Sequence, residues 1–260
     1  MSTYVFSDVH GHLAPLDRAL SRISPTEDDR IFCLGDMIDR GPDPIGVLRL
    51  VRGLPGVVAL LGNHEDLMLD CLRDQNDALA AMNWAINGGA VTSQGLSELG
   101  ADELDDLLSW VRSCPRSAHA RVGERLYLLA HAGVSLDVAA PSVWDEEAAE
   151  AYLAAQVDED LTWIREEFWG AERGLSGSDG RGPVVIAGHT PTPYLESMTS
   201  ELDRSPVGDD GLARMVRVGA QRDRWDIDSG AAGGAGFGQV LGLRLDDGGG
   251  FYGPLPHGGG

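Results

Sequence analysis

The sequence predicts an α/β fold in which short buried strands alternate with amphipathic helices. Two observations carry that expectation. Short apolar runs recur between longer stretches whose apolar residues repeat at helical spacing, the pattern of a layered α/β chain. Five of those runs also end in Asp, His or Asn beside glycine, at the position where open α/β sheets hold their ligands.

The elements follow in order. Tyr4–Ser7, Arg30–Leu34, Val57–Leu61, Leu126–Ala130 and Val184–Ala187 read as strands. Helical spacing marks Leu13–Ile23, Pro44–Arg52, Glu65–Leu72 and Leu79–Ile86, then Ala101–Arg112, Glu146–Ala155 and Asp158–Phe168. Toward the end the pattern changes. Arg214–Val218, Arg224–Ile227 and Phe237–Leu245 read as successive strands separated by turns, which predicts a second sheet packed on the first. The segments Gly170–Pro183 and Glu196–Ala213 are polar and rich in Gly or acidic residues, and read as exposed, mobile loops. One domain over residues 1–246 is expected, followed by a flexible Gly-rich tail at 247–260.

Composition narrows the function. A chain of 260 residues buries enough apolar surface to fold without disulfides. Its three Cys form no C-x-x-C pair; Cys33, inside Ile31-Phe32-Cys33-Leu34, reads as a small core residue, which suits a reducing compartment. The formal net charge of -21 repels nucleic acid and anionic membrane, so neither is expected as a partner. No apolar run has membrane-spanning length, and the first one leads straight into polar residues, so a cytoplasmic location is expected. Oligomeric state is not legible.

The chemistry sits at the strand ends. After the five runs come Asp8-Val9-His10-Gly11, Gly35-Asp36-Met37-Ile38-Asp39-Arg40-Gly41, Gly62-Asn63-His64-Glu65, His131-Ala132-Gly133 and Gly188-His189-Thr190. Singly, each motif reads as a histidine hydrogen-bonded in a turn, and Asn63 as a turn residue. His12, His119 and His257 keep that reading, as exposed or partly packed histidines. The joint arrangement lifts His10, His64, His131 and His189 out of it. Carboxylate, imidazole and amide oxygen without thiolate suit hard-to-borderline divalent cations. Asp8 and His10, two apart at an extended strand end, can point to one side, and Asp36 is placed to be shared by two metals. Such a pair, roughly 3.5–4 Å apart, polarises a phosphoryl group and lowers the pKa of water from 15.7 toward about 7.

The ordered set D-x-H-G, G-D-x-x-D-R-G, G-N-H-E, H-A-G and G-H-T resembles the calcineurin-like metallophosphoesterases. Because Arg40 follows Asp39, it resembles their phosphoprotein phosphatase branch, and within it the bacterial and phage lambda-type serine/threonine phosphatases. Trp84-Ala85-Ile86-Asn87-Gly88-Gly89, Trp163-Ile164-Arg165-Glu166 and Asp226-Ile227-Asp228-Ser229-Gly230 extend the likeness, which runs from Tyr4 to Leu245. Ser7 stands where a glycine is common in the family, and Ser229 where a threonine is; neither change removes a ligand.

The resemblance implies a two-sheet β-sandwich flanked by helices, with the metal site at the carboxyl ends of the strands. It implies that Asp8 and His10 hold a first metal, that Asp36 bridges, and that Asn63, His131 and His189 hold a second. It makes Arg40 and Arg165 phosphate clamps, Asn63 a substrate contact, His64 the general acid and Asp39 its orienting partner. A surface ion pair with Glu166 or Glu167 is the plainer reading of Arg165. Two divalent ions are implied, manganese by preference, with iron, zinc or cobalt compatible.

The expected activity is hydrolysis of phosphomonoesters by in-line attack of a metal-bridging hydroxide, on a phosphoprotein or a small phosphoester. A serine/threonine protein phosphatase is the first reading. The rival is a symmetrical dinucleoside polyphosphate (diadenosine tetraphosphate) hydrolase. Those enzymes usually carry Asp after G-N-H and a histidine-leucine run beyond it, whereas this chain has Glu65-Asp66-Leu67-Met68, which favours the phosphatase side. A catalytically dead binding module is disfavoured by the intact set of ligands and arginines, and a nuclease by the charge. Substrate choice is assigned to the loops, Asn87–Leu96 among them.

Overall fold

The structure, a computed structural model, describes residues 1–74, 76–177 and 180–256. Strands β1 (Thr3–Phe6), β2 (Arg30–Cys33), β3 (Val57–Ala59), β9 (Gln239–Arg244) and β10 (Gly249–Pro254) form one sheet, in the order β10-β9-β1-β2-β3. Strands β4 (Ser117–Val122), β5 (Arg125–Ala130), β6 (Val184–Ala187), β7 (Val216–Val218) and β8 (Arg224–Asp226) form the other, in the order β4-β5-β6-β8-β7. Each sheet has three neighbouring parallel strands, β1-β2-β3 and β5-β6-β8, with antiparallel strands at its margins.

The alternation of side chains across a strand builds the layers. Val5, Phe32 and Leu60 turn inward to meet Tyr127, Ile186 and Trp225 of the facing sheet. Tyr4, Phe6, Ile31 and Cys33 turn outward, under helices α1 (Leu13–Ile23), α2 (Pro44–Arg52), α3 (Asn63–Arg73) and α6 (Ala101–Ser113). Leu126, Leu128, Val185 and Val216 do the same on the other side, under α7 (Glu146–Ala154), α8 (Asp158–Trp163) and α9 (Glu166–Trp169). Each large apolar side chain so buried contributes about 1.5–3 kcal/mol. Two smaller helices, α4 (Ala78–Ile86) and α5 (Ala90–Ser97), close over the strand ends of the first sheet.

The two-sheet α/β architecture agrees with the sequence, although the strand expected at Phe237–Leu245 pairs with β1 in the first sheet instead of joining β7 and β8, and α1 and α2 have the predicted bounds. α2 starts where Asp43 accepts the Gly46 N–H at 2.8 Å and Pro44 opens the helix. Four elements differ. The expected tail holds β10, which pairs with β9 along its whole length; its glycines carry no strand preference. Arg18 and Arg22 of α1 donate to the Pro254 and Tyr252 carbonyls, and a side chain at Gly253 would overlap the Pro15 carbonyl. His257 lies outside the described residues. β4, with its Ala, Ser and His, escaped notice yet pairs with all of β5. The predicted loop Asn87–Leu96 contains α5, where Gly95 lets the helix lie against Ile45 of α2.

Finally, the single helix expected over Asp158–Phe168 is broken at Ile164–Arg165, which turns Arg165 toward the strand ends. The segments read as mobile loops are partly pinned: Ser176 is buried and donates from both its amide and its hydroxyl to Asp223, each at 2.8 Å, and Ala213 is buried. Residues 178 and 179 of the first segment lie outside the described residues. Cys33, Cys71 and Cys114 are free thiols. No helix among the described residues is long and apolar enough to cross a membrane.

Candidate metal centre

The parallel strands deliver their carboxyl-terminal turns to one place between the two sheets. Those turns are tight. Among the described residues, eight that are not glycine have positive φ, and six belong to the site: Asp8, His10, Asp36, Asp39, Arg40 and His189, at 46° to 68°. A left-handed residue costs about 1–2 kcal/mol, so the neighbourhood must hold it. It does so through backbone bonds from turn to turn. His10 N–H donates to Asp36 O and Gly41 N–H to His10 O, both at 2.9 Å, and Gly188 N–H donates to His131 O at 2.7 Å.

Glu65 ties the turns after β2 and β3 together. It is 0% exposed, and its carboxylate accepts from Asp36 N–H at 2.8 Å, Met37 N–H at 2.9 Å and Gly62 N–H at 2.9 Å. Glu65, the first of the four residues on which the choice of substrate was read, therefore never reaches the cavity. Glu65 fixes the backbone that carries Asp36 and Asn63, and its identity reports on turn geometry.

Asp36 lies at the centre. Its Oδ2 is 3.4 Å from His10 Nε2 and its Oδ1 is 3.4 Å from His131 Nε2, so its two oxygens face opposite imidazoles. Two groups of ligand atoms follow, each within 4.8 Å: His10, Asp36 and His64, and Asp36, His131 and His189. Asn63 completes the second group, with Oδ1 at 2.9 Å from both His131 Nε2 and His189 Nδ1. Asp8 is buried beside them, with both carboxylate oxygens turned to the His189 N–H at 3.0 and 3.1 Å.

A cation suits this arrangement. The Leu34 carbonyl can only accept, so His131 carries its proton on Nδ1, at 2.9 Å, and turns the Nε2 lone pair inward. His10 is fixed likewise by Ile38 O at 3.2 Å. The Nε2 lone pairs of His131 and His10 then face the Asn63 amide oxygen and the Asp36 carboxylate, an arrangement that a positive ion satisfies. Burial, then nearby His64 and Arg40, holds His10 well below the usual imidazole range; burial, then His131 and Arg165, does the same to His189. Both rings are neutral and ready to bind metal. Burial pushes the Asp36 carboxyl well up; His64 opposes this, and Asp8 and Glu65 add to it.

His64 and the arginines form the other half of the cavity. His64 Nδ1 donates to Asp39 Oδ2 at 2.7 Å. Asp39, 0% exposed, also accepts from Thr92 Oγ1 at 2.6 Å and from Trp84 Nε1 at 3.0 Å. The small helices α4 and α5 thus orient the carboxylate that orients His64. Arg40 donates from Nη2 to His64 Nε2 at 3.0 Å, and half-buried Arg165 reaches Thr190 Oγ1 at 3.3 Å. All ten residues singled out in the sequence therefore come together here. The sequence reading quoted Trp84, Asp226 and Asp228 only within segments that carry the resemblance, and gave no role to them, to Glu65 or to Thr92. Asp226 and Asp228, at the end of β8, are both buried, with carboxyls pushed well up, first by burial and then by Asp228 (for Asp226) or by Asp8 (for Asp228). Their D-x-D spacing after a strand was the available signal.

Two sheets that converge on a shared carboxylate, with imidazoles on both sides and guanidinium groups at the rim, define a metal-dependent phosphoesterase centre. The calcineurin-like phosphoesterase family model matches residues 1–219, and the chain belongs to that family. It is 36% identical over 154 residues to the symmetrical bis(5'-nucleosyl)-tetraphosphatase of Erwinia tasmaniensis, covering 58% of this chain and 49% of that one. It is 29% identical over 191 residues to serine/threonine-protein phosphatase 1 of Salmonella typhimurium, covering 72% of this chain and 78% of that one. The chain spans about half the length of the curated tetraphosphatases it matches. Among solved structures, a protein provisionally described as a diadenosine tetraphosphatase superposes with a TM-score of 0.62 over 98% of this chain and 94% of that one, at 18% identity. A metallophosphoesterase from Sphaerobacter thermophilus gives 0.52 over 99% of this chain and 89% of that one, at 19% identity. At those identities the likeness is one of fold.

Proposed function

We propose that this chain is a hydrolase of dinucleoside polyphosphates that cleaves them symmetrically, with Asp8, His10 and Asp36 holding one divalent cation and Asp36, Asn63, His131 and His189 a second. The observation that carries the phosphoesterase reading is the Asp36 carboxylate, one oxygen on each group of ligands. The dinucleotide is favoured over the phosphoprotein because several relatives at 32–36% identity are symmetrical tetraphosphatases. This reverses the order in which the sequence alone ranks the two substrates.

Bound divalent ions, manganese by preference, supply the charge that polarises the phosphoryl group and acidifies the attacking water. The remaining work belongs to side chains. Arg40 and Arg165 hold phosphoryl oxygens with planar, paired N–H groups, and the Asn63 amide faces the same oxygens. His64, its Nδ1–H held by Asp39, presents Nε2 to the leaving group and acts as proton donor in its doubly protonated form, with Arg40 turned from Nε2 to the phosphoryl oxygens. A nucleoside diphosphate leaves as a stabilised anion, whereas a serine alkoxide needs that proton. General-acid assistance of about 10²–10⁴-fold therefore applies to the phosphoprotein and much less to the dinucleotide.

Turnover of diadenosine tetraphosphate, a phosphoserine peptide and p-nitrophenyl phosphate, side by side with Mn²⁺, tests the reading. The expected outcome is the highest kcat/KM on the dinucleotide, with two molecules of ADP as products. Dephosphorylation of the peptide with the dinucleotide left intact overturns it in favour of a serine/threonine protein phosphatase, the reading that the 78% coverage of the Salmonella enzyme favours.

A further inference from the structure

The cavity above the centre has two unlike walls. His10, Asp36, Arg40, Asn63, His64 and Arg165 line its polar side. Trp163, Tyr194 and Phe237 line the other. Trp163 is 39% exposed and Tyr194 55% exposed, although large aromatic side chains normally gain by burial. Tyr194 and Phe237 lie side by side, with ring centroids 6.2 Å apart and planes 35° from each other. Trp163 stands edge-on to His189 at 5.6 Å, beside the ligand groups.

The wall is held in place from behind. Tyr194 sits on the 3-10 turn Thr192–Ser197, whose next residue, Leu195, is fully buried and anchors it. Thr192 N–H donates to the Asp228 carbonyl at 3.1 Å, so the turn is fixed to the end of β8. The Phe237 ring rests on Gly230 and Gly233, where any side chain would overlap it, and its carbonyl accepts from Ala213 N–H at 2.9 Å. Rings held rigidly at an open cavity offer planar apolar surface at small entropic cost.

We infer that Tyr194, Phe237 and Trp163 form a stacking subsite for one nucleobase of the substrate, beside the phosphate held by Arg40 and Arg165. The cavity volume, about 270 Å³, lies just under the 300–1,000 Å³ usual for drug-sized ligands. It takes a phosphoryl group and one ring system, and leaves the second nucleoside of a dinucleotide in solvent. Stacking needs no particular edge of the base, so the subsite selects for an aromatic ring and tolerates different bases. It also offsets the repulsion between a polyphosphate and a chain of net charge -21, which phosphate contacts alone must otherwise overcome. This subsite rests on the nucleotide reading of the centre.

Calorimetric binding of ADP and of pyrophosphate to the Mn²⁺-loaded protein separates the subsite from catalysis. The ratio of the two dissociation constants isolates the nucleoside. ADP is expected to bind more tightly than pyrophosphate. Tyr194→Ala and Phe237→Ala are expected to shrink that ratio by about 5- to 150-fold, the range for one lost base–aromatic stack. Tyr194→Phe, which keeps the ring, is expected to restore it. An unchanged ratio in both alanine variants overturns the subsite, even if the protein cleaves diadenosine tetraphosphate. Equal weakening of ADP and pyrophosphate also overturns it, since the rings then only support the fold. A ratio that depends on Tyr194, in a protein that leaves the dinucleotide intact, sustains the subsite and removes the proposed reaction.

Discussion

Replacing Glu65 by Gln removes one oxygen from a carboxylate that satisfies three buried backbone donors. Oε2 accepts from Asp36 N–H and Gly62 N–H, and Oε1 from Met37 N–H. An amide can keep its oxygen on the first pair, but its NH₂ group then faces the Met37 N–H, donor against donor. The change loses a hydrogen bond to a charged acceptor, about 1.5–3 kcal/mol, and leaves a buried donor unpaired, about 1–3 kcal/mol more. A loss of about 2.5–6 kcal/mol is expected, a large part of the 5–15 kcal/mol typical of a domain. At about 2–4 °C per kcal/mol for a chain of this class, the midpoint should fall by roughly 5–24 °C. The assay is thermal or urea unfolding of Glu65→Gln and the parent protein, both with chelator and with Mn²⁺. Because the two turns carry Asp36 and Asn63, the stabilisation gained from Mn²⁺ should shrink as well. A loss under about 1 kcal/mol would refute the reasoning, since the three bonds would then not hold the turns.

Two further outcomes follow from the geometry. A Cβ at Gly188 would overlap the Asp8 carboxylate and the Ser7 hydroxyl, so Gly188→Ala must displace Asp8. Turnover should drop about 10²-fold, the cost of a misplacement near 1 Å, and parental activity would remove Asp8 from the centre. The second outcome concerns pH. Asp36, Asp226 and Asp228 have raised carboxyls in the folded chain, so above about pH 4 the unfolded chain sheds protons that the folded site keeps. In the metal-free protein that contribution to stability declines as pH rises. His10 and His189, held neutral, act in the opposite direction up to about pH 6.5. Cations displace the carboxyl protons that the folded site keeps, so Mn²⁺ binding should release protons, fewer as pH rises. Calorimetry in buffers of different ionisation enthalpy measures the release; a release that does not fall with rising pH would contradict the assignment.

The site was more legible than the frame around it. Ligand residues follow apolar runs, and a strand end is a local event that a short window of sequence contains. Hence Asp8, His10, Asp36, Asn63, His131 and His189 stood out, although 181 positions separate Asp8 from the His189 amide it accepts. What holds them does not show locally. Glu65 has helix-compatible chemistry, and only the fold reveals that its carboxylate faces the turn after β2. Thr92 and Trp84 sit on helices whose apolar pattern is weak, and they matter through their hydrogen bonds with Asp39. β10 lies in a glycine-rich segment with no pattern of its own; the edge of β9 and the face of α1 give it its structure.

Anomalous diffraction from crystals grown with Mn²⁺ measures the premise behind every step. Two peaks roughly 3.5–4 Å apart are predicted, with the Asp36 carboxylate between them, His10 on one side and His131 and His189 on the other. A single peak, or peaks that leave Asp36 without metal, would contradict it.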